Sequence, residues 1–214
     1  MLKTKIKASQ ISNLTDARYF AAWGVDWLGF SVQPGSSGYI DPTTLTGITS
    51  WIEGPDIVAE FDLEESEQIK TVAEKLEINC LQLGHFFPQE DLQKLASFDI
   101  IQKLVINEEL GEVAVNQFIE SRAAWAKTFL LDFEVGGYSF QDLRENNCPL
   151  SHDFIRDLVK RHSCLLQISI RPDDIPPILE LGSLGLSLKG GSEEKVGYKS
   201  FDELDELFEA LEDD

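Results

Sequence analysis

Two residues stand where a strand end would bring chemistry within reach of a ligand. Asp132 closes the apolar run Phe129-Leu130-Leu131-Asp132, and Ser9 closes an extended run that begins at Lys5. A carboxylic acid in such a place can act as a general acid, handing a proton to a leaving or ring oxygen. It can equally be a strand-end carboxylate that caps nearby backbone N–H groups, and the residues alone leave both readings open. A serine hydroxyl needs an adjacent base before it becomes reactive, whereas a thiol ionises within reach of neutral pH. No histidine lies near Ser9 in the chain; Lys7 shares its strand parity, and Glu60 and Lys103 belong to other strands. The role read for Ser9 is hydrogen bonding at the bottom of a pocket, or filling space there.

A second group has the chemistry of an anion site. Lys189-Gly190-Gly191-Ser192 joins backbone able to form a nest of amides to a hydroxyl and a positive charge. Ser169, Arg171 and the start of a helix after Pro172 offer further donors. The plainer reading of the glycine segment is a surface turn, since no helix-start signature accompanies it. Trp27, Phe30, Tyr39 and Tyr138 are the aromatics that a slot for an aromatic ring would use, although aromatics on buried strands more often fill a core.

The elements that must position these residues follow from periodicity. Lys5–Phe30 reads as strand, polar loop, amphipathic helix and strand; Ser12 or Asn13 can cap the helix and Gly24 can stop it. A βαβ unit of this size requires parallel strands and a right-handed crossover. Pro42 opens a second helix, running through Ser50. Further strands are expected at residues 57–61, 80–83, 100–106, 129–132, 165–170 and 184–188, with helices over 63–76, within 88–98, over 112–122, 153–161 and 172–180, and from 201 onward. Phe201, Leu204, Leu207, Phe208 and Leu211 give the last helix one apolar stripe against an acidic face. Eight alternations without a linker predict an α/β fold, a (β/α)8 TIM barrel, with residues 1–214 as one domain.

Composition narrows the partners. The formal charge of −20 disfavours nucleic acid and anionic membranes, which bind through dense Lys/Arg surfaces. No apolar run is long enough to span a bilayer, and the N-terminus has lysines without an apolar signal core, so a cytoplasmic location is expected. Cys80, Cys148 and Cys164 have no C-x-x-C spacing and are read as reduced thiols; the histidines 85, 152 and 162 show no metal-ligand spacing. No metal or other cofactor is expected.

Lys7-Ala8-Ser9-Gln10-Ile11-Ser12-Asn13-Leu14-Thr15-Asp16-Ala17 resembles the K-I-C-G-I-T-N-x-x-D-A opening of the phosphoribosylanthranilate isomerase family. Gly24–Phe30 resembles the family's G-A-D-x-x-G-F, and Pro34–Ile40 its P-x-S-x-R-Y-I; Gln82-Leu83-Gly84-His85 is similar to its Q-L-H-G with the last two residues exchanged. The resemblance implies a (β/α)8 barrel, an Amadori rearrangement of phosphoribosylanthranilate in tryptophan biosynthesis, Asp132 as the general acid, and a small phosphorylated aromatic ligand. It is compatible with a monomer or a homodimer. Ser9 stands at the family's basic cysteine and Gly38 at its arginine. Ile168 and Ser169 stand at the two glycines beside the phosphate, and the aspartate after the eighth strand is missing. A charge-assisted contact is worth about 1.5–3 kcal/mol, so these departures imply impaired or altered activity. The alternative is a barrel repurposed to bind a small molecule or a protein without catalysis.

Overall fold

In strand after strand, residues of one parity are apolar throughout while those of the other parity turn polar toward the C-terminal end. A closed barrel wrapped in helices satisfies that pattern, because its outer face is always covered and its mouth is wet. The computed structural model describes residues 1–189 and 201–213, together with the backbone of Glu193–Lys195 and Tyr198–Lys199. The strands are β1 (Lys5–Ser9), β2 (Trp27–Ser31), β3 (Asp56–Phe61), β4 (Cys80–Leu83), β5 (Asp99–Val105), β6 (Ala126–Asp132), β7 (Cys164–Gln167) and β8 (Gly185–Lys189). They pair in parallel in chain order, and β8 returns to β1 through Lys5↔Gly185 to Ser9↔Lys189.

The parity of each strand separates two cores. Ile6, Ala8, Leu28, Phe30, Leu81, Leu131, Leu166 and Leu186 face outward and pack beneath the helices in the main core. Inside the barrel, Val58, Ile101, Leu130 and Leu165 form a separate apolar plug. Lys7, Ser9, Glu60, Gln82, Asp132, Gln167 and Ser187 are buried polar residues with the inward parity, so the mouth is polar above an apolar floor.

The helices are α1 (Leu14–Ala22), α2 (Pro42–Thr49), α3 (Ser66–Lys75), α4 (Glu112–Arg122), α5 (Phe140–Arg144), α6 (His152–Arg161), α7 (Ile175–Leu179) and α8 (Asp202–Leu211). Asn13 caps α1 by accepting the Asp16 N–H at 2.9 Å, and Gly24 ends the segment in the left-handed region at φ 72°. Asp41 caps α2 ahead of Pro42.

Several expected elements differ. The helix over 63–76 starts only at Ser66, because Leu63–Glu65 remain in the loop. The segment 88–98 forms a 3-10 helix, Gln89–Leu95. Residues 172–180 split into a 3-10 turn, Pro172–Asp174, followed by α7, as Pro176-Pro177 lack the N–H groups a longer helix would need. β7 ends at Gln167 instead of running to residue 170. Helix α5 was not expected; its capping box, Ser139 with Asp142, was its signal.

Candidate active site at the barrel mouth

Ser9 and Asp132 end β1 and β6 on the same rim of the barrel. Asp132 is 0 % exposed. Its Oδ1 accepts the Val135 N–H at 3.1 Å, and its Oδ2 lies 2.8 Å from Lys103 Nζ on the neighbouring strand. The carboxylate therefore does cap the loop after β6, and it is also half of an ion pair at the mouth. Only the first of these could be anticipated from a strand-end position. The second needs the register that sets Lys103 of β5 level with Leu130 of β6.

Ser9 is 2 % exposed and belongs to a chain of hydrogen bonds. Lys7 Nζ donates to Ser9 Oγ at 2.7 Å, Ser9 Oγ meets Ser187 Oγ at 2.8 Å, and Ser187 Oγ donates to Gln167 Oε1 at 3.2 Å. With the Ser187 proton directed to an amide oxygen, Ser187 accepts from Ser9, and the Ser9 proton is committed as well. The order is Lys7 to Ser9 to Ser187 to Gln167, across β1, β8 and β7. Lys7, wholly buried, also pairs with Glu60 Oε1 of β3, while Glu60 Oε2 accepts the Gln10 N–H at 3.2 Å. Gly29 on the strand between them has no side chain to occupy the space in which the two meet.

Of the expected anion donors, the two cations are engaged by neighbouring carboxylates. Lys189 ends β8 and pairs with Glu134 Oε2 at 2.9 Å; Glu134 also lies within 3.5 Å of Gln167 Nε2. Arg171 is turned to Asp174 at 3.5 Å and to Gln141 at 3.4 Å, with its guanidinium largely in solvent. Ser169 is exposed and bridges through its backbone to Ser139. Ile168 is buried in the outer core. Gly190, Gly191 and Ser192 lie outside the described residues.

The aromatic slot does not form from the residues expected for it. Trp27 opens β2 at the N-terminal end of the barrel, where Lys5 Nζ lies 5.2 Å from its ring centre, and Phe30 faces the outer core. Tyr39 sits at the C-terminal rim, beside a cleft of about 280 Å³ shared with Pro34, Phe61, Gln68 and Lys75. The reason is parity and length: Trp27 and Phe30 are three residues apart, which puts them on opposite faces of one strand.

His85, beyond the end of β4, accepts the Val105 N–H on Nδ1 at 3.1 Å and stacks on Phe118. Burial, then the charges of Arg122 and Lys103, push its imidazole below the usual histidine range. Among the described residues no group of three His, Cys, Asp or Glu side chains is placed to hold a metal ion, and no helix is long and apolar enough to cross a membrane.

Glu60, Gln82, Glu134, Gln167 and Ser187 were not singled out as site residues by the sequence. Their signal is present nonetheless: polar residues two apart at the ends of apolar runs, as in Lys7/Ser9, Asp132/Glu134 and Ser187/Lys189.

A parallel eight-stranded barrel with paired charges around its C-terminal mouth defines the class, a (β/α)8 barrel of the kind that carries its chemistry on that face. Within the class the chain resembles phosphoribosylanthranilate isomerases. A stretch of 117 residues is 34 % identical to the N-(5'-phosphoribosyl)anthranilate isomerase of Thermotoga maritima, covering 52 % of this chain and 56 % of that relative. The crystal structure of the phosphoribosylanthranilate isomerase from Thermotoga maritima aligns with a TM-score of 0.77 at 23 % identity, over 97 % of this chain and 98 % of that one. The enzyme from Thermus thermophilus aligns with a TM-score of 0.74 at 24 % identity, with the same coverage. No family model matches the chain.

Proposed function

We propose that this chain is a cytoplasmic phosphoribosylanthranilate isomerase-like protein of tryptophan biosynthesis in which the Amadori chemistry is impaired or altered. In this reading Asp132, which pairs with Lys103 at 2.8 Å, serves as the general acid. Ser9 stands in for the general base. The observation that carries the reading is the state of the Ser9 hydroxyl: it accepts from Lys7 and gives its own proton toward Ser187, so it is a member of a relay and no free base. Losing a positioned acid–base group typically lowers a rate by about 10²–10⁴.

Binding points the same way. Lys189 is held by Glu134 and Arg171 by Asp174, and Gly38, at the family's arginine position, adds no charge. The alternative, a barrel that binds a ligand or partner without turnover, draws on the same observations. It differs in giving Asp132 no role beyond its cap and ion pair.

The test is turnover of phosphoribosylanthranilate by the purified chain, followed by loss of substrate fluorescence. Slow turnover abolished by Asp132→Asn, and raised by Ser9→Cys with Gly38→Arg, supports an impaired isomerase. Brisk turnover by the unmodified chain overturns the reading. No turnover in any variant supports the binding barrel instead. The arginine enters open space, but at φ 74° a side chain costs about 1–2 kcal/mol, so folding of that variant is checked by its melting curve.

A further inference from the structure

We propose that the barrel mouth takes an uncharged, polyhydroxylated ligand: a sugar without its phosphate. The inference rests on the isomerase-like reading for the place of the ligand and departs from it in the ligand's charge. Among the described residues, every lysine that the strands bring to the mouth is matched by a carboxylate. Lys7 is matched by Glu60, Lys103 by Asp132 at 2.8 Å, and Lys189 by Glu134 at 2.9 Å. These pairs sum to no net charge. A phosphate entering between β7 and β8 meets the Glu134 carboxylate, which already occupies Lys189 and approaches the Gln167 amide. Two like charges in so small a space repel, and the lysine must abandon one to serve the other.

What the mouth does offer is neutral hydrogen bonding. Gln82 is 7 % exposed, and its Oε1 has no hydrogen-bond partner among the described residues. Its side chain points into the barrel, since its register partners Glu60 on β3 and Ile101 on β5 both face inward. A buried amide oxygen left without a partner costs stability unless something else completes it. An amide presents a donor and an acceptor side by side, which matches adjacent hydroxyl groups and not a dianion. The Ser9, Ser187 and Gln167 relay, whose hydroxyl protons are already committed, adds neutral acceptor lone pairs.

Isothermal titration calorimetry of the full chain with D-ribose and with D-ribose 5-phosphate tests this. Ribose is expected to bind at least tenfold more tightly than ribose 5-phosphate. Gln82→Leu, with its melting curve intact, lowers the affinity for ribose tenfold or more. Glu134→Gln, which frees Lys189, raises the affinity for ribose 5-phosphate by at least tenfold. Equal or tighter binding of the phosphorylated sugar by the unmodified chain, binding of neither sugar, or no gain in Glu134→Gln overturns the proposal. Brisk turnover of phosphoribosylanthranilate would overturn the reading of impaired chemistry as well. Slow turnover combined with a preference for ribose 5-phosphate would overturn this inference alone.

Discussion

Lys7 and Glu60 meet in the space left by Gly29. A Cβ built on that glycine would overlap Glu60 Oε1 and fall 2.7 Å from Lys7 Nζ. Both atoms end flexible side chains, yet both are buried, and neither can swing aside without leaving its partner in the barrel interior. Gly29→Ala is therefore expected to cost about 3 kcal/mol, the low end for opening a buried ion pair. In a Lys7→Met/Glu60→Leu background the same change should cost under about 1 kcal/mol, because the ion pair is then absent. Urea unfolding of the four proteins measures the coupling. Equal costs in both backgrounds would show that the glycine serves something other than the pair.

The second pair is asymmetric. Asp132 is wholly buried, while the Lys103 side chain is 15 % exposed and can extend its ammonium toward water. Lys103→Met strands a buried carboxylate and is expected to destabilise by about 3–5 kcal/mol. Asp132→Asn keeps an oxygen for the Val135 N–H and leaves the lysine an escape, so about 1–2 kcal/mol is expected. Denaturant midpoints of the two variants decide the order, and a costlier Asp132→Asn would mean that the lysine cannot move.

Much of this architecture was legible from periodicity. Strand β4 and helix α4 fall at the expected residues, since a short apolar run and an amphipathic run each bounded by polar residues admit one reading. Asn13 was one of the two caps open to the first helix, whereas Asp41, the cap of the second, was not named although Pro42 marked that helix's start. The site was legible only in its address. That Ser9 and Asp132 share a rim follows from both ending strands of one parallel barrel. That Lys7 engages Ser9 and Glu60 together depends on the register across three strands and on the missing side chain of Gly29, which no local pattern encodes. Likewise Lys189 looked like a free cation in the sequence, because Glu134 lies far from it along the chain.

His85 predicts a pH dependence. Its folded pKa is depressed, by burial first and by Arg122 and Lys103 after that, so the unfolded chain binds the proton more readily. Its contribution is fully present above the unfolded value of about 6.5 and is lost as pH falls through the lower folded value. Protonation also removes Nδ1 as acceptor for the Val105 N–H. His162, depressed by burial, acts in the same direction. Melting temperature is expected to drop between pH 7.5 and pH 5.5, and the drop should shrink in His85→Gln. An unchanged drop would assign it wholly to other groups.

The cysteines bear on whether any thiol could stand in for the base that Ser9 does not provide. Cys164 lies in the outer core, and burial pushes its thiol up to about 12. Cys80, near the N-terminal end of β4, is pushed up to about 11 by the same cause. Cys148 is raised by burial too, and its Sγ donates to Leu150 O at 2.9 Å. Since the thiolate is the reactive form, each shift lowers reactivity at neutral pH. None of the three residues belongs to the mouth. At pH 8 the native chain is expected to react with Ellman's reagent slowly and only at Cys148, and to release all three thiols on unfolding. Changing Cys80 or Cys164 to alanine should leave any slow isomerase turnover unaltered. A fast native thiol whose alkylation abolished turnover would reveal a base that this arrangement of strands does not bring to the mouth.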